Sequence, residues 1–464
     1  MKKIIIKFGG SVLRSSTDIK KLAIVINAYN KPVVVVVSAI YGMTDKLSGI
    51  LNIKKITEIS IIDIVEDIRK IHYCIIDDLV SNIRTIDKIK GEVDILIENL
   101  KDQLTGIMLI GDIPVLSKAY ILSFGERISS VLIAGILNHL GSSISHVFPE
   151  AVGIYTRGPV LNASLDLKRS SPGMKKTFSG KKNYIVPGFY GISDMERTAL
   201  FGRGGSDYSA AGIAAGIDAE SCDLWKDVDG FMTADPAVTK NALKIPFLSF
   251  GEAAELSYFG AGITHPETFS PLKLNNIPLK IYNTGQLNGE KKLPLPSTII
   301  SSTSIKSINV IKSITGSTGF TILRIKGSGV GIHPGIISNI SNVFSRKEIN
   351  IRSIITSQTT INFLLSTEDI EEAFSIVEGL NLPDAEEIST DTDIALIAAV
   401  GEGFRKTYGV AARILQVLSD KKINVSLVTA GASDEAIYFT IKKDECDNAV
   451  RYLHKEFFEI KLQI

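Results

Sequence analysis

The chain has 464 residues, 45% of them hydrophobic and 22% charged, with a formal net charge of +1. At that length about two to four domains are expected, and a balance so near neutral gives no bulk attraction for nucleic acid or an anionic membrane surface. The three cysteines, Cys74, Cys222 and Cys446, stand far apart, which predicts neither a disulfide framework nor a metal-ligand cluster and fits a reducing cytoplasm.

The first element is IIIKFGGSV at 4–12. Its isoleucines and phenylalanine predict a buried strand over 3–8, yet Lys7 sits inside the run and Gly9 and Gly10 follow it. A lysine is costly to bury without an anionic partner. Paired glycines let the backbone bend and aim its N–H groups at a ligand. The apolar run is short and broken by Lys7, so it is not read as a secretory signal. A helical stretch around 17–29 leads to a β-branched strand, PVVVVVS at 32–38, far too short to cross a bilayer. This βαβ start predicts a parallel sheet covered on both faces. Residues 55–105 carry apolar residues at helical spacing and read as a helical layer without chemistry. GERISSVLIAGILNHLG at 125–141 predicts a helix ended by Gly141. A strand and turn at 184–191, a small-residue helix at 206–217 and a strand-to-loop segment at 220–230 follow. A helix at 249–261 and a strand at 277–284 come next. GQLNGEKKLPLPST at 285–298 reads as a boundary loop, so a first domain is expected over 1–295.

Beyond it the pattern changes and repeats. A strand at 318–327, a helix at 335–350, strands at 351–358 and 359–366 and a helix at 370–380 make one βαββα unit. A second unit, at 394–401, 409–424, 425–431, 435–442 and 445–457, lies about 75 residues further on, as a duplication would place it. Domains are expected over 310–385 and 390–464, with the terminal FEIKLQI as a closing strand.

Four constellations could carry chemistry. KFGGS at 7–11 follows a strand, but its lysine precedes the glycines, so it is no Walker A loop. It is either an edge lysine and a turn or a phosphate cradle. GRGGSDYSAA at 202–211 leads into a helix N-terminus, which favours an anion; Ser206 or Asp207 could equally be a helix cap. Arg203, held between glycines, suits a carboxylate or phosphate. SFGERISS at 123–130 puts Glu126 and Arg127 at an expected helix start, either as a surface pair or with Glu126 gripping an ammonium group. LWKDVDGFMTADP at 224–236 holds the single tryptophan beside Lys226, Asp227 and Asp229, or is a polar loop after a buried strand. No His, Cys or carboxylate set has metal-ligand spacing, and His265 reads as structural.

The order of these motifs, with SAIYGMTD at 38–45 and EAAELSYFGA at 252–261, resembles that of the aspartate kinases of the amino-acid kinase superfamily. The resemblance covers the whole chain. It implies an α/β amino-acid kinase fold, a mainly parallel sheet between helical layers, followed by two ferredoxin-like ACT domains. It implies a monofunctional enzyme that phosphorylates the β-carboxylate of L-aspartate with ATP and Mg2+, the first step toward lysine, threonine and methionine. Lys7 would be catalytic and sit on the phosphates with Gly9, Gly10 and Ser11, and Asp207 would organise Lys7 or the metal. Lys226, Asp227, Met232, Gly262 and Ile263 match the nucleotide segments. Thr44, Glu126, Arg203 and Ser206 match the aspartate site. A feedback amino acid, lysine or threonine, would bind at Ile332, His333, Pro334 and Gly335 with Ile354, Thr356 and Ser357. A homodimer or homotetramer is implied, with no nucleic-acid or membrane partner.

Two departures stand out. FGAGITHP at 259–266 has Gly262 where the resembling sequences commonly carry lysine, and Ala237 follows Asp235-Pro236 where they carry arginine. Two positive charges are thereby missing from the expected ATP pocket, so weaker ATP binding is expected. The alternatives are an amino-acid sensor on a weakened kinase scaffold, or another carboxylate kinase of the superfamily.

Overall fold

The computed structural model describes residues 2–260, 262–287, 292–303, 305, 307, 310–382 and 385–459. They divide into two compact units. The first unit is built on an eight-stranded sheet with the order Phe247–Ser249, Thr298–Ser301, Leu279–Asn283, Ser221–Lys226, Ile4–Phe8, Val33–Val37, Asn183–Pro187, Ile144–His146. Every pairing is parallel except Leu279–Asn283 with Thr298–Ser301. Ile4–Phe8 and Val33–Val37 are buried along their whole length, as strands covered on both faces must be. In this sheet the carboxyl ends of Ile4–Phe8, Val33–Val37 and Ser221–Lys226 share one edge, where ligands bind in open α/β folds. Trp225 is fully buried and stacks between Phe8 and Tyr282, at 5.9 and 4.7 Å. The tryptophan is therefore core, while its neighbour Lys226 ends the strand at the site.

The helices follow from local signals. Ser15 and Asp18 form a capping box at the start of Ser16–Ala28. Thr57 caps Glu58–Leu79, and Asn82 caps Ile83–Ile110, which ends at the left-handed Gly111. The next helix runs Val115–His139, ten residues longer at its start than its sequence pattern suggests. Its length and composition would let it cross a bilayer, but most of it is buried inside this unit. Glu126 and Arg127 consequently lie in mid-helix and buried, not at a helix start or on the surface. The expected boundary at 295 also falls too early, because Thr298–Ser301 adds a strand to this sheet.

The second unit holds two four-stranded sheets. One has the order Ser353–Thr356, Thr360–Ser366, Phe320–Lys326, Glu387–Asp391, and the helices Ile336–Arg346 and Ile370–Gly379 pack on it. The other has the order Ser313–Ser317, Ile394–Val400, Ala436–Lys442, Leu427–Ala430, with the helices Val410–Asp420 and Cys446–His454. The expected division into 310–385 and 390–464 is thus corrected. Ser313–Ser317, early in the chain, pairs antiparallel with Ile394–Val400. The first module is inserted between that strand and the rest of the second. Ile314 and its partner Ala399 are both buried in the second core, and that burial selects the partner over chain proximity. Met232–Leu243 also belongs to this unit, with Ala234 in the same core and Thr233 hydrogen-bonded to His454 at 2.8 Å. Phe458 and Glu459, at the start of the expected closing strand, belong to the helical turn Lys455–Glu459, and the rest of that strand, 460–464, lies outside the described residues.

Candidate active site

Lys7 is buried, and its ammonium lies 2.5 Å from Asp207 Oδ1. Asp207 Oδ2 accepts from Lys226 Nζ at 2.8 Å and from the Thr264 hydroxyl at 2.9 Å. Burial pushes the Lys7 ammonium down, and the Asp207 carboxylate opposes that loss. Burial likewise pushes Asp207 up, but Lys226 and Lys7 outweigh it and hold the carboxyl well below its usual range. The anionic partner that a lysine in a buried strand demands is therefore Asp207, two hundred residues further on.

Local geometry explains each position. Lys7 lies one residue from the carboxyl end of Ile4–Phe8, and Lys226 ends the neighbouring Ser221–Lys226. Asp207 sits in the first turn of the helix Gly205–Gly216, whose cap is the left-handed Gly204. Neither Ser206 nor Asp207 is the cap, so both side chains turn to the site. At Gly9 a Cβ would stand 3.2 Å from Lys7 Nζ, so the glycine leaves room for the ammonium group.

Beside this cluster is a cavity of about 360 Å³. Lys7, Gly10, Ser11, Thr44, Glu126, Arg203, Ser206 and Asp207 all line it, joined by residues 38–42, Asp45 and Phe189, which were not expected as site residues. Gly125 lets the long helix approach the Ser38–Ile40 turn, where a Cβ would meet Ala39 Cβ at 2.8 Å. Glu126 is aimed into the cavity. Its Oε1 accepts from the Ser206 hydroxyl at 3.4 Å, while Oε2 is buried without a hydrogen bond. Burial pushes the Glu126 carboxyl up to about 7, against backbone donors and the Lys7 charge. Arg127 points away from the cavity, toward Glu150, Ser123 and Thr198, with its guanidinium over the Tyr120 and Tyr190 rings. Arg203 is exposed at the rim, where no hydrogen bond or ion pair engages it among the described residues.

Asp227 lies next to the cluster. It accepts from the Ser11 hydroxyl at 2.9 Å and pairs with Arg14 at 3.5 Å, beside a second cavity of about 280 Å³ that includes Thr284 and Gly285. Gly262 and Ile263 do not line either cavity, but they precede Thr264, which reaches Asp207. Met232 belongs to the second unit, where its carbonyl accepts from Ser313. Lys244 pairs with Asp229 at 3.0 Å. A larger groove of about 700 Å³ lies between the helices Ile83–Ile110 and Val115–His139, but no buried charged side chain lines it. Among the described residues no group of three His, Cys, Asp or Glu could hold a metal ion.

In the first module of the second unit, Ile332–Gly335 precede the helix Ile336–Arg346, with Gly335 as its left-handed cap. Gly331 N donates to Gln358 O at 3.1 Å, which sets this loop beside Ser357. Ile354 and Thr356 lie on the edge strand Ser353–Thr356 of the same sheet.

The amino acid kinase family model matches residues 2–283, and an ACT domain model matches 397–457. Aspartokinase 3, chloroplastic, of Arabidopsis thaliana is 30% identical over 98% of this chain and 81% of its own length. The crystal structure of E. coli aspartokinase III with aspartate and ADP superposes with a TM-score of 0.82 at 23% identity, covering 98% of this chain and 100% of the other. Its complex with lysine and aspartate gives 0.80 at 23% identity, covering 99% and 100%.

Proposed function

The chain belongs to the amino acid kinase family and is an aspartokinase within it, and we propose that the Lys7–Asp207–Lys226 cluster carries its phosphoryl transfer from ATP to the β-carboxylate of L-aspartate. One observation supports this reading above the others. A buried, carboxylate-held ammonium at the strand edge shares a cavity with an unpaired guanidinium, Arg203, and a carboxylate oxygen of Glu126 that has no partner.

The nucleophile is already ionised at neutral pH, so no general base is required. A β-carboxylate oxygen bonds to the γ-phosphorus while the bond from phosphorus to the bridging oxygen breaks, and ADP leaves with that electron pair. The obstacle is one anion approaching another, so catalysis comes from alignment and positive charge. Lys7 supplies that charge at the transferring group, and the Gly9, Gly10 and Ser11 turn supplies backbone N–H groups. Asp207 and Lys226 hold Lys7 in place. Glu126 takes the α-ammonium of aspartate, Arg203 a carboxylate, and Thr44 and Ser206 supply hydroxyls. Among the described residues no cluster of acidic or His/Cys groups would cage a metal, so a Mg2+ would arrive on the nucleotide and, when bound, would offset phosphate charge. With no cation at 237 or 262, ATP binding is weakened.

Regulation belongs to the same proposal. Lysine or threonine binds the Ile332–Gly335 loop with Ile354, Thr356 and Ser357. The unpaired edge of Ser353–Thr356 joins copies of the chain into a homodimer or homotetramer, and the enzyme works in the cytoplasm. A coupled assay for ADP release tests the reading. Release that depends on aspartate, and falls with lysine or threonine, is expected. Release with glutamate or N-acetylglutamate but not with aspartate would overturn it.

A further inference from the structure

We propose that Thr264 is a positioning residue for the phosphoryl transfer, its hydroxyl pinning the Asp207 carboxylate so that Lys7 stays aimed into the cavity. This rests on the reading of Lys7 and Asp207 given above. Asp207 stands between two ammonium groups, Lys7 on Oδ1 at 2.5 Å and Lys226 on Oδ2 at 2.8 Å. The terminal torsion of an aspartate is broad and roughly two-fold. Held only through two long lysine side chains, the carboxylate would be free to turn about that torsion and carry Lys7 with it. The Thr264 hydroxyl adds a third, uncharged donor to Oδ2 at 2.9 Å. It constrains the torsion without adding a further competing charge.

Thr264 is itself well placed to do this. It is buried, and the buried Thr268 lies 3.5 Å from its Oγ1. It sits on the 262–268 loop, outside the parallel strands that carry both lysines. The next residue, His265, packs so closely on Gly204 that a Cβ there would meet His265 Cβ at 2.4 Å. The loop that supplies the hydroxyl therefore leans on the turn that presents Arg203. Two adjacent residues, Thr264 on Asp207 and His265 on Gly204, tie the phosphate half of the site to the half assigned to aspartate.

The test compares three variants of the full chain. Thr264→Val removes the hydroxyl and keeps the shape, and is expected to lower kcat by ~10-fold, equivalent to ~1.4 kcal/mol. KM for aspartate should stay within about twofold, since no group touching aspartate changes. Thr264→Ala, a second deletion free of any overpacking, should behave alike. Thr264→Ser should return kcat to within about threefold of the unmodified protein, which a role for the methyl group alone would not produce. Wild-type kcat in both deletions, or a serine variant as slow as they are, overturns the inference while the activity itself stands. Absence of aspartate-dependent ADP release from the unmodified protein overturns the underlying reading and this one together.

Discussion

Asp207→Asn tests the centre of the site most directly. The substitution keeps the volume of the side chain and removes its charge. Lys7 and Lys226, 7% and 15% exposed, are left facing a neutral amide. Solvent screens neither, so the cost is that of breaking a buried pair, about 3–5 kcal/mol. It does not double for two lysines. Only one carboxylate is removed, and the burial that already pushes the Lys7 ammonium down then acts on it unopposed by Asp207. The first unit, of about 290 residues, should then melt roughly 5–8 °C lower. Without Asp207 to hold it, Lys7 no longer keeps its charge at the transferring phosphoryl group, so kcat should fall at least ~10³-fold, or ~4 kcal/mol. Calorimetry and a coupled ADP assay read the two effects separately. A variant within about 1 kcal/mol of the parent in stability and about tenfold in kcat would refute the reasoning.

Three further outcomes follow from the same geometry. Lys7→Ala should stay folded and lose at least ~10³-fold in kcat, because the charge at the phosphoryl group goes while the carboxylate keeps Lys226; near-normal turnover counts against the assignment. With the free Glu126 carboxyl at about 7, kcat/KM for aspartate should fall ~10-fold per pH unit below that value and be level above it, and Glu126→Gln should flatten the profile. The same group sits above its ordinary 4.5, so its stabilising contribution is complete below pH 4.5 and lost as pH rises through 7; Glu126→Gln should therefore raise stability at pH 8 by up to ~3 kcal/mol and by little at pH 4 in thermal melts. In the first module of the second unit, a Cβ at Gly331 would stand 1.8 Å from the Ser357 carbonyl oxygen, a backbone atom that cannot swing away. Gly331→Ala should abolish lysine or threonine inhibition with basal kcat unchanged, and isothermal titration should show the binding lost; retained inhibition would displace the effector from that loop.

Much of the molecule is legible from local pattern. Uninterrupted β-branched runs mark Ile4–Phe8 and Val33–Val37, because a strand covered on both faces has no polar side. Helical spacing marks Glu58–Leu79 and Ile83–Ile110. Lys7 in an apolar run announces a buried counter-charge, and Gly9, Gly10 and the 202–205 glycines announce turns made for an anion. The identity of that counter-charge is not local. Asp207 read equally well as a helix cap until Gly204 proved to hold that place. Lys226 was expected in the nucleotide segment, not as a second partner of Asp207, and Thr264 carried no signal at all. A hydroxyl becomes informative only when folding sets it 2.9 Å from a buried carboxylate.

Local pattern therefore determined the kinds of element and their order, since periodicity and turn chemistry act over a few residues, while the resemblance in motif order pointed to Lys7, Thr44, Glu126, Arg203, Ser206 and Asp207 at the cavity. Tertiary structure decided the rest. It placed Glu126 in mid-helix, where Gly125 admits the Ser38–Ile40 turn and burial lifts the carboxyl. It gave Ser313–Ser317 to the second module and Met232–Leu243 to the second unit. A short strand carries no label for its partner; the partner is whichever free edge buries its apolar side, and that is settled only when distant parts of the chain pack together.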